Sequence, residues 1–123
     1  MKVPVKRVLF LEDDRDLREI VVLMLQELGV GCDAVATVEE MRATVAGSTG
    51  AFDLAILDVN LGPDRESGLD AYHWLRQQGF TGRITFLTGH GRSHPLVGEA
   101  LRAGDATVQD KPITMGAFRS LLG

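Results

Sequence analysis

Three short runs of uninterrupted apolar residues punctuate the chain: Val8-Leu9-Phe10-Leu11, Leu54-Ala55-Ile56-Leu57 and Ile84-Thr85-Phe86-Leu87, the last broken only by a threonine. Continuous rather than alternating apolar character suits strands covered on both faces, as in a parallel sheet flanked by helices, so these runs are predicted as central strands. Weaker stretches from Val30 to Ala36, containing Asp33, and from Ala106 to Asp110, containing Gln109, predict strands nearer the sheet edges. Between them the apolar period changes to that of a helix. Leu17, Ile20, Val21, Met24 and Leu28 fall on one stripe closed by Gly29. Thr37 followed by Glu40 has the form of a capping box, with Val38, Met41 and Val45 continuing an apolar face until Gly47. Leu69, Tyr72, Trp74 and Leu75 predict a third helix ending at Gly79. Leu96, Val97, Ala100 and Leu101 predict a fourth ending near Gly104, and Met115, Phe118, Leu121 and Leu122 a fifth. All these apolar residues are read as core packing.

Alternation of strand and helix with short connections implies right-handed crossovers and a doubly wound α/β sandwich, expected as one domain over residues 1–123. Ligand chemistry in such a sheet belongs at the carboxyl ends of the strands. Those ends carry Glu12-Asp13-Asp14, Asp58-Val59-Asn60, Thr88-Gly89 and Asp110-Lys111-Pro112. Crowded carboxylates repel, and the remedies are a raised pKa or a hard cation with oxygen ligands, of which Mg²⁺ is the natural choice. A lysine and a hydroxyl beside them would complete a site for a transferred phosphoryl group, where positioning and charge neutralisation do most of the catalysis. Asp58 is then a plausible nucleophile. Each residue also has a plainer reading: Asp14 as a helix N-cap supported by Asp16 and Glu19, Thr88 as a β-former, Asn60 and Lys111 as turn residues. Singly the plainer readings prevail; as a set ending four strands, the residues point to a site.

Composition narrows the function class. With 45% hydrophobic and 24% charged residues the 123-residue chain has an ordinary globular composition, and no apolar run approaches a membrane span. No secretory signal is readable at Met1 to Val5, so a cytoplasmic location is expected. The single cysteine, Cys32, excludes an intramolecular disulfide and a multi-cysteine zinc site. A net charge of −4 argues against direct nucleic-acid binding, which needs clustered Lys and Arg.

The ordered set Val8 to Asp14, Asp53 to Leu61, Gly68-Leu69, Ile84 to Thr88, Ala103 to Ala106 and Asp110-Lys111-Pro112 resembles the receiver domain of bacterial response regulators, the CheY-like family, along essentially the whole chain. The resemblance implies a flavodoxin-like five-stranded parallel sheet of order 2-1-3-4-5 with five helices. It implies that Glu12 and Asp13 hold Mg²⁺ or Mn²⁺, that Asp58 accepts the phosphoryl group and also ligates the metal, and that the backbone carbonyl of Asn60 supplies a further ligand. Thr88 would turn toward the phosphoryl group and Lys111 would pair with it, ahead of a cis Lys-Pro bond. The implied partners are a sensor histidine kinase or histidine phosphotransfer protein as phosphohistidine donor, and a downstream protein or fused output domain; a homodimer is compatible with this. Phosphorylation would add nearly two negative charges and shift a pre-existing equilibrium, making the domain a switch rather than a dedicated enzyme.

The sequence departs from the family pattern at three places. Val108 stands three residues before Lys111, where the family commonly has an aromatic switch residue. The loop from Leu61 to Gly68, with Asp64, Arg65 and Glu66, is longer than the family norm, and Gly89-His90-Gly91-Arg92-Ser93-His94 is rich in Gly and His. A flavin site would need a phosphate cradle where Glu12-Asp13-Asp14 stands, and an aspartyl-phosphate hydrolase would need a carboxylate at Asn60. The alternative that remains is a receiver-like interaction or dimerisation domain that signals by docking without phosphoryl transfer.

Overall fold

The computed structural model describes residues 5–59, 61–62, 66–89 and 95–122. Five parallel strands, β1 (Arg7–Leu11), β2 (Gly31–Val35), β3 (Leu54–Asp58), β4 (Arg83–Thr88) and β5 (Ala106–Asp110), form one sheet of order β2-β1-β3-β4-β5. The three apolar runs are the central strands and the two weaker stretches the edges, as their burial demands: all five residues of β3 are buried, none of β5 is. Helices α1 (Arg15–Glu27), α2 (Val38–Val45), α3 (Gly68–Gln77), α4 (Pro95–Arg102) and α5 (Met115–Leu122) lie between and after them.

Because successive strand residues face opposite ways, the sheet makes two cores. Leu9, Leu11, Ala55, Leu57 and Phe86 pack with Met41 and Val45 of α2, Leu69 and Leu75 of α3 and Ala100 of α4. Val8, Phe10, Leu54, Ile56 and Leu87 pack on the other face with Val21 and Leu25 of α1 and Phe118 of α5. Cys32 packs against this second core, where burial pushes its thiol pKa up to about 12. No helix among the described residues is long and apolar enough to cross a membrane.

Two residues read as core are not. Ile20 and Leu101 are 52% and 45% exposed. A helix lying on a sheet buries only an arc of its surface. In α1 that arc is centred on Val21 and Leu25, and Ile20 lies about 100° around the helix from Val21. In α4 it is made by Val97 and Ala100, with Leu101 at its margin. The Thr37–Glu40 capping box is also half-formed: Thr37 Oγ1 accepts from Glu40 N at 3.1 Å, but the Glu40 carboxylate accepts from Ala36 N instead of closing on Thr37. A complete box caps α3, where Ser67 and Asp70 reciprocate.

Candidate functional site

Parallel strands that start at one edge must finish together, and the ladder continues past their ends. Glu12 N donates to Val35 O at 3.0 Å, Val59 N to Leu87 O at 2.9 Å, and Lys111 N to Thr88 O at 2.7 Å. These bonds hold the segments after β1, β3 and β5 in register, so Glu12, Asp58, Thr88 and Lys111 are set by the sheet itself. Glu12, Asp58 and Thr88 are buried, whereas Asp13 is exposed at the mouth.

Glu12, Asp13 and Asp58 each present a carboxylate oxygen within 4.8 Å of the others. Lys111 Nζ lies 2.7 Å from Glu12 Oε1 and 3.3 Å from Asp58 Oδ2. The contact with Asp58 is a hydrogen bond. That with Glu12 is a close ion pair to a fully buried carboxylate. Glu12 Oε2 accepts from Asp14 N at 3.3 Å.

Burial, then the neighbouring Asp58, pushes the Glu12 carboxyl above its ordinary value; burial, then Glu12, does the same to Asp13. Burial opposes the Lys111 charge, but Glu12 and Asp58 outweigh it and hold the ammonium above its usual range. Three carboxylates against one ammonium leave a formal excess of two negative charges. An oxygen-lined cluster with that excess and raised carboxyl pKa values fits a hard divalent cation.

The structure therefore brings together Glu12, Asp13, Asp58 and Lys111, with Thr88 ending the strand beside Asp58 and paired in register with Asp110. Asn60 lies outside the described residues, as do Asp64, Arg65 and His90 to His94. Asp14 stands apart from the cluster and caps α1, accepting from Leu17 N at 3.2 Å. The Lys111-Pro112 bond is cis. Val108 lies across from Phe86 in the β4–β5 register, and the aromatic neighbour of Phe86 comes from α3: the Tyr72 ring, 5.5 Å away.

Two residues at the site carry no role in the sequence reading. Arg18 donates to the carbonyl oxygens of Glu12 and Asp13 at 2.8 and 3.0 Å. Gly68 N donates to Val59 O at 3.2 Å, beside Asp58. The available signal for Arg18 is its place in the first turn of α1, where side chains lean back toward the preceding loop.

A profile of the response regulator receiver domain matches residues 8–122. The response regulator protein PilR of Pseudomonas aeruginosa is 28% identical over 117 residues, covering 95% of this chain but 25% of PilR; the chain thus spans about a quarter of that relative. Among solved structures, the chemotaxis protein CheY4 of Vibrio cholerae superposes with a TM-score of 0.80 at 24% identity, covering 95% of each chain. A CheY-like receiver domain from Methylobacillus flagellatus gives 0.73 at 26% identity, covering 96% of each.

Proposed function

The chain belongs to the response regulator receiver domain family of two-component systems, and from that premise we propose that Asp58 is its phosphoryl acceptor, with Glu12, Asp13, Asp58 and the backbone carbonyl of Asn60 holding Mg²⁺ or Mn²⁺. The observation that carries the proposal is the contact of one ammonium, Lys111 Nζ, with both Glu12 and Asp58 at the mouth of a three-carboxylate cluster.

In this reading an Asp58 carboxylate oxygen forms the new P–O bond while the P–N bond of a phosphohistidine donor breaks, its electron pair remaining on the departing imidazole. Lys111 orients Asp58 through the 3.3 Å hydrogen bond and offsets charge on the acceptor side. Glu12 and Asp13 supply carboxylates for the cation, which when bound screens the carboxylates from the incoming phosphoryl oxygens. Thr88, buried at the end of β4, is the hydroxyl nearest in strand order to Asp58 and the proposed ligand of the transferred group.

The donor is a sensor histidine kinase or phosphotransfer protein, and the output a downstream protein or a domain elsewhere in the same polypeptide. The domain acts in the cytoplasm as a switch that promotes its own phosphorylation, not as a dedicated enzyme. A docking-only reading draws support from Val108, since no aromatic occupies that position on β5. The two separate on incubation with acetyl phosphate and Mg²⁺ followed by intact-mass measurement. Phosphoryl transfer requires the parent to gain one phosphoryl group and Asp58→Asn to gain none. An unmodified parent favours docking alone, and a modified Asp58→Asn removes Asp58 as acceptor.

A further inference from the structure

We propose that Arg18 is a positioning residue for the cation-binding carboxylates, acting through the backbone that carries them; the inference rests on the cation reading given above. One guanidinium nitrogen, Nη1, donates to two successive carbonyl oxygens, Glu12 O at 2.8 Å and Asp13 O at 3.0 Å. These belong to the two residues whose side chains form the acidic pair. Although Glu12, Asp13, Asp14, Asp16 and Glu19 crowd this stretch of sequence, Arg18 makes no ion pair among the described residues, and its Nη1 donates to main chain.

The consequence is geometric. Glu12 N is fixed to β2 through Val35 O, Asp14 is fixed to α1 as its cap and through Arg18 N to Asp14 O, and Arg18 pins the two carbonyls between these points. With both ends and both intervening carbonyls held, the Glu12 and Asp13 side chains leave a rigid backbone. Their mutual repulsion cannot then relax by turning the loop outward. A partly buried arginine suits this task because its guanidinium stays charged at any working pH and one of its nitrogens carries two N–H donors, one for each carbonyl.

The test measures Mg²⁺ affinity by calorimetry without a phosphoryl donor, for the parent, Asp13→Asn, Arg18→Gln and Arg18→Lys. We expect the parent to bind, Asp13→Asn to lose binding, Arg18→Gln to bind roughly tenfold more weakly, and Arg18→Lys, which keeps the charge on a shorter side chain, to fall between. In the acetyl phosphate reaction the Mg²⁺ concentration for half-maximal rate should rise in Arg18→Gln far more than the saturated rate falls, a split that general loss of stability does not produce. Parent-like Mg²⁺ affinity in Arg18→Gln, with Asp13→Asn defective, overturns the role of Arg18 and leaves the cation site standing. Absence of Mg²⁺ binding by the parent overturns both. Should Arg18→Gln fail to fold, Arg18→Lys decides: weaker binding supports the role and parent-like binding overturns it.

Discussion

Gly68, the first residue of α3, packs against the backbone of Asp58 so closely that a Cβ there would overlap the Asp58 carbonyl and lie 3.2 Å from Val59 Cα. The neighbour is main chain of a central strand, which cannot swing aside. The absence of a side chain at Gly68 is what lets the start of α3 lie directly against the Asp58 backbone.

Gly68→Ala should therefore destabilise the fold by about 1–3 kcal/mol, the range for overpacking a rigid site, read as a lower urea midpoint. The same displacement of Asp58 should slow phosphorylation by acetyl phosphate, measured by intact mass at a temperature where the variant remains folded.

Lys111→Met removes the cation between Glu12 and Asp58 while leaving both carboxylates buried. A fully buried pair broken on one side costs about 3–5 kcal/mol, and with Lys111 25% exposed we expect about 2 kcal/mol at pH 7.5. The loss should shrink at pH 5, where Glu12 takes up a proton more readily. Urea unfolding at the two pH values checks both statements.

The Glu12 and Asp13 carboxyls are raised from ordinary values of 4.5 and 3.8, burial being the largest cause for each. The folded chain thus binds these protons more tightly than the unfolded chain. Their contribution to stability is full below the ordinary values and is lost as pH rises through the raised ones. In chelator, the parent should lose stability from pH 4.5 to 7.5 relative to the Glu12→Gln/Asp13→Asn double variant. Mg²⁺ at a hundred times its dissociation constant should restore about 2.7 kcal/mol at pH 7.5, less at pH 5, and nothing in the double variant. Thermal melts with and without Mg²⁺ give the comparison.

Asp105, in the turn before β5, accepts from the Tyr72 hydroxyl and pairs with Arg76 Nε at 2.9 Å, tying that turn to α3. The Tyr72 hydroxyl, aided by Arg76, holds its carboxyl below the ordinary 3.8. A depressed carboxyl contributes stability above its unfolded pKa and loses it as pH falls through the folded one. Asp105→Asn should cost at most about 1 kcal/mol at pH 7, because the pair is solvent-screened. The difference from the parent should shrink as pH falls below 3.8 and vanish only below the lowered folded value, so urea titrations should show a smaller difference at pH 3 than at pH 7.

Runs such as Leu54 to Leu57 and spacings such as Val21 to Leu25 are local consequences of burial on two faces or one, so the linear chain alone determined five strands, five helices, their order and the acidic, hydroxyl and lysine residues ending the strands. The sequence even carried the caps at Asp14 and Thr37 in recognisable form. Pattern could not say that Ile20 would lie in solvent, since the arc a helix buries depends on what packs against it. Nor could it say that Arg18 would spend its donors on two carbonyls, or that Tyr72 rather than a β5 aromatic would meet Phe86. These contacts, like that of Lys111 with Asp58 across 53 positions, exist only once strand order and register set distances between segments, and distance is what electrostatics and hydrogen bonding respond to.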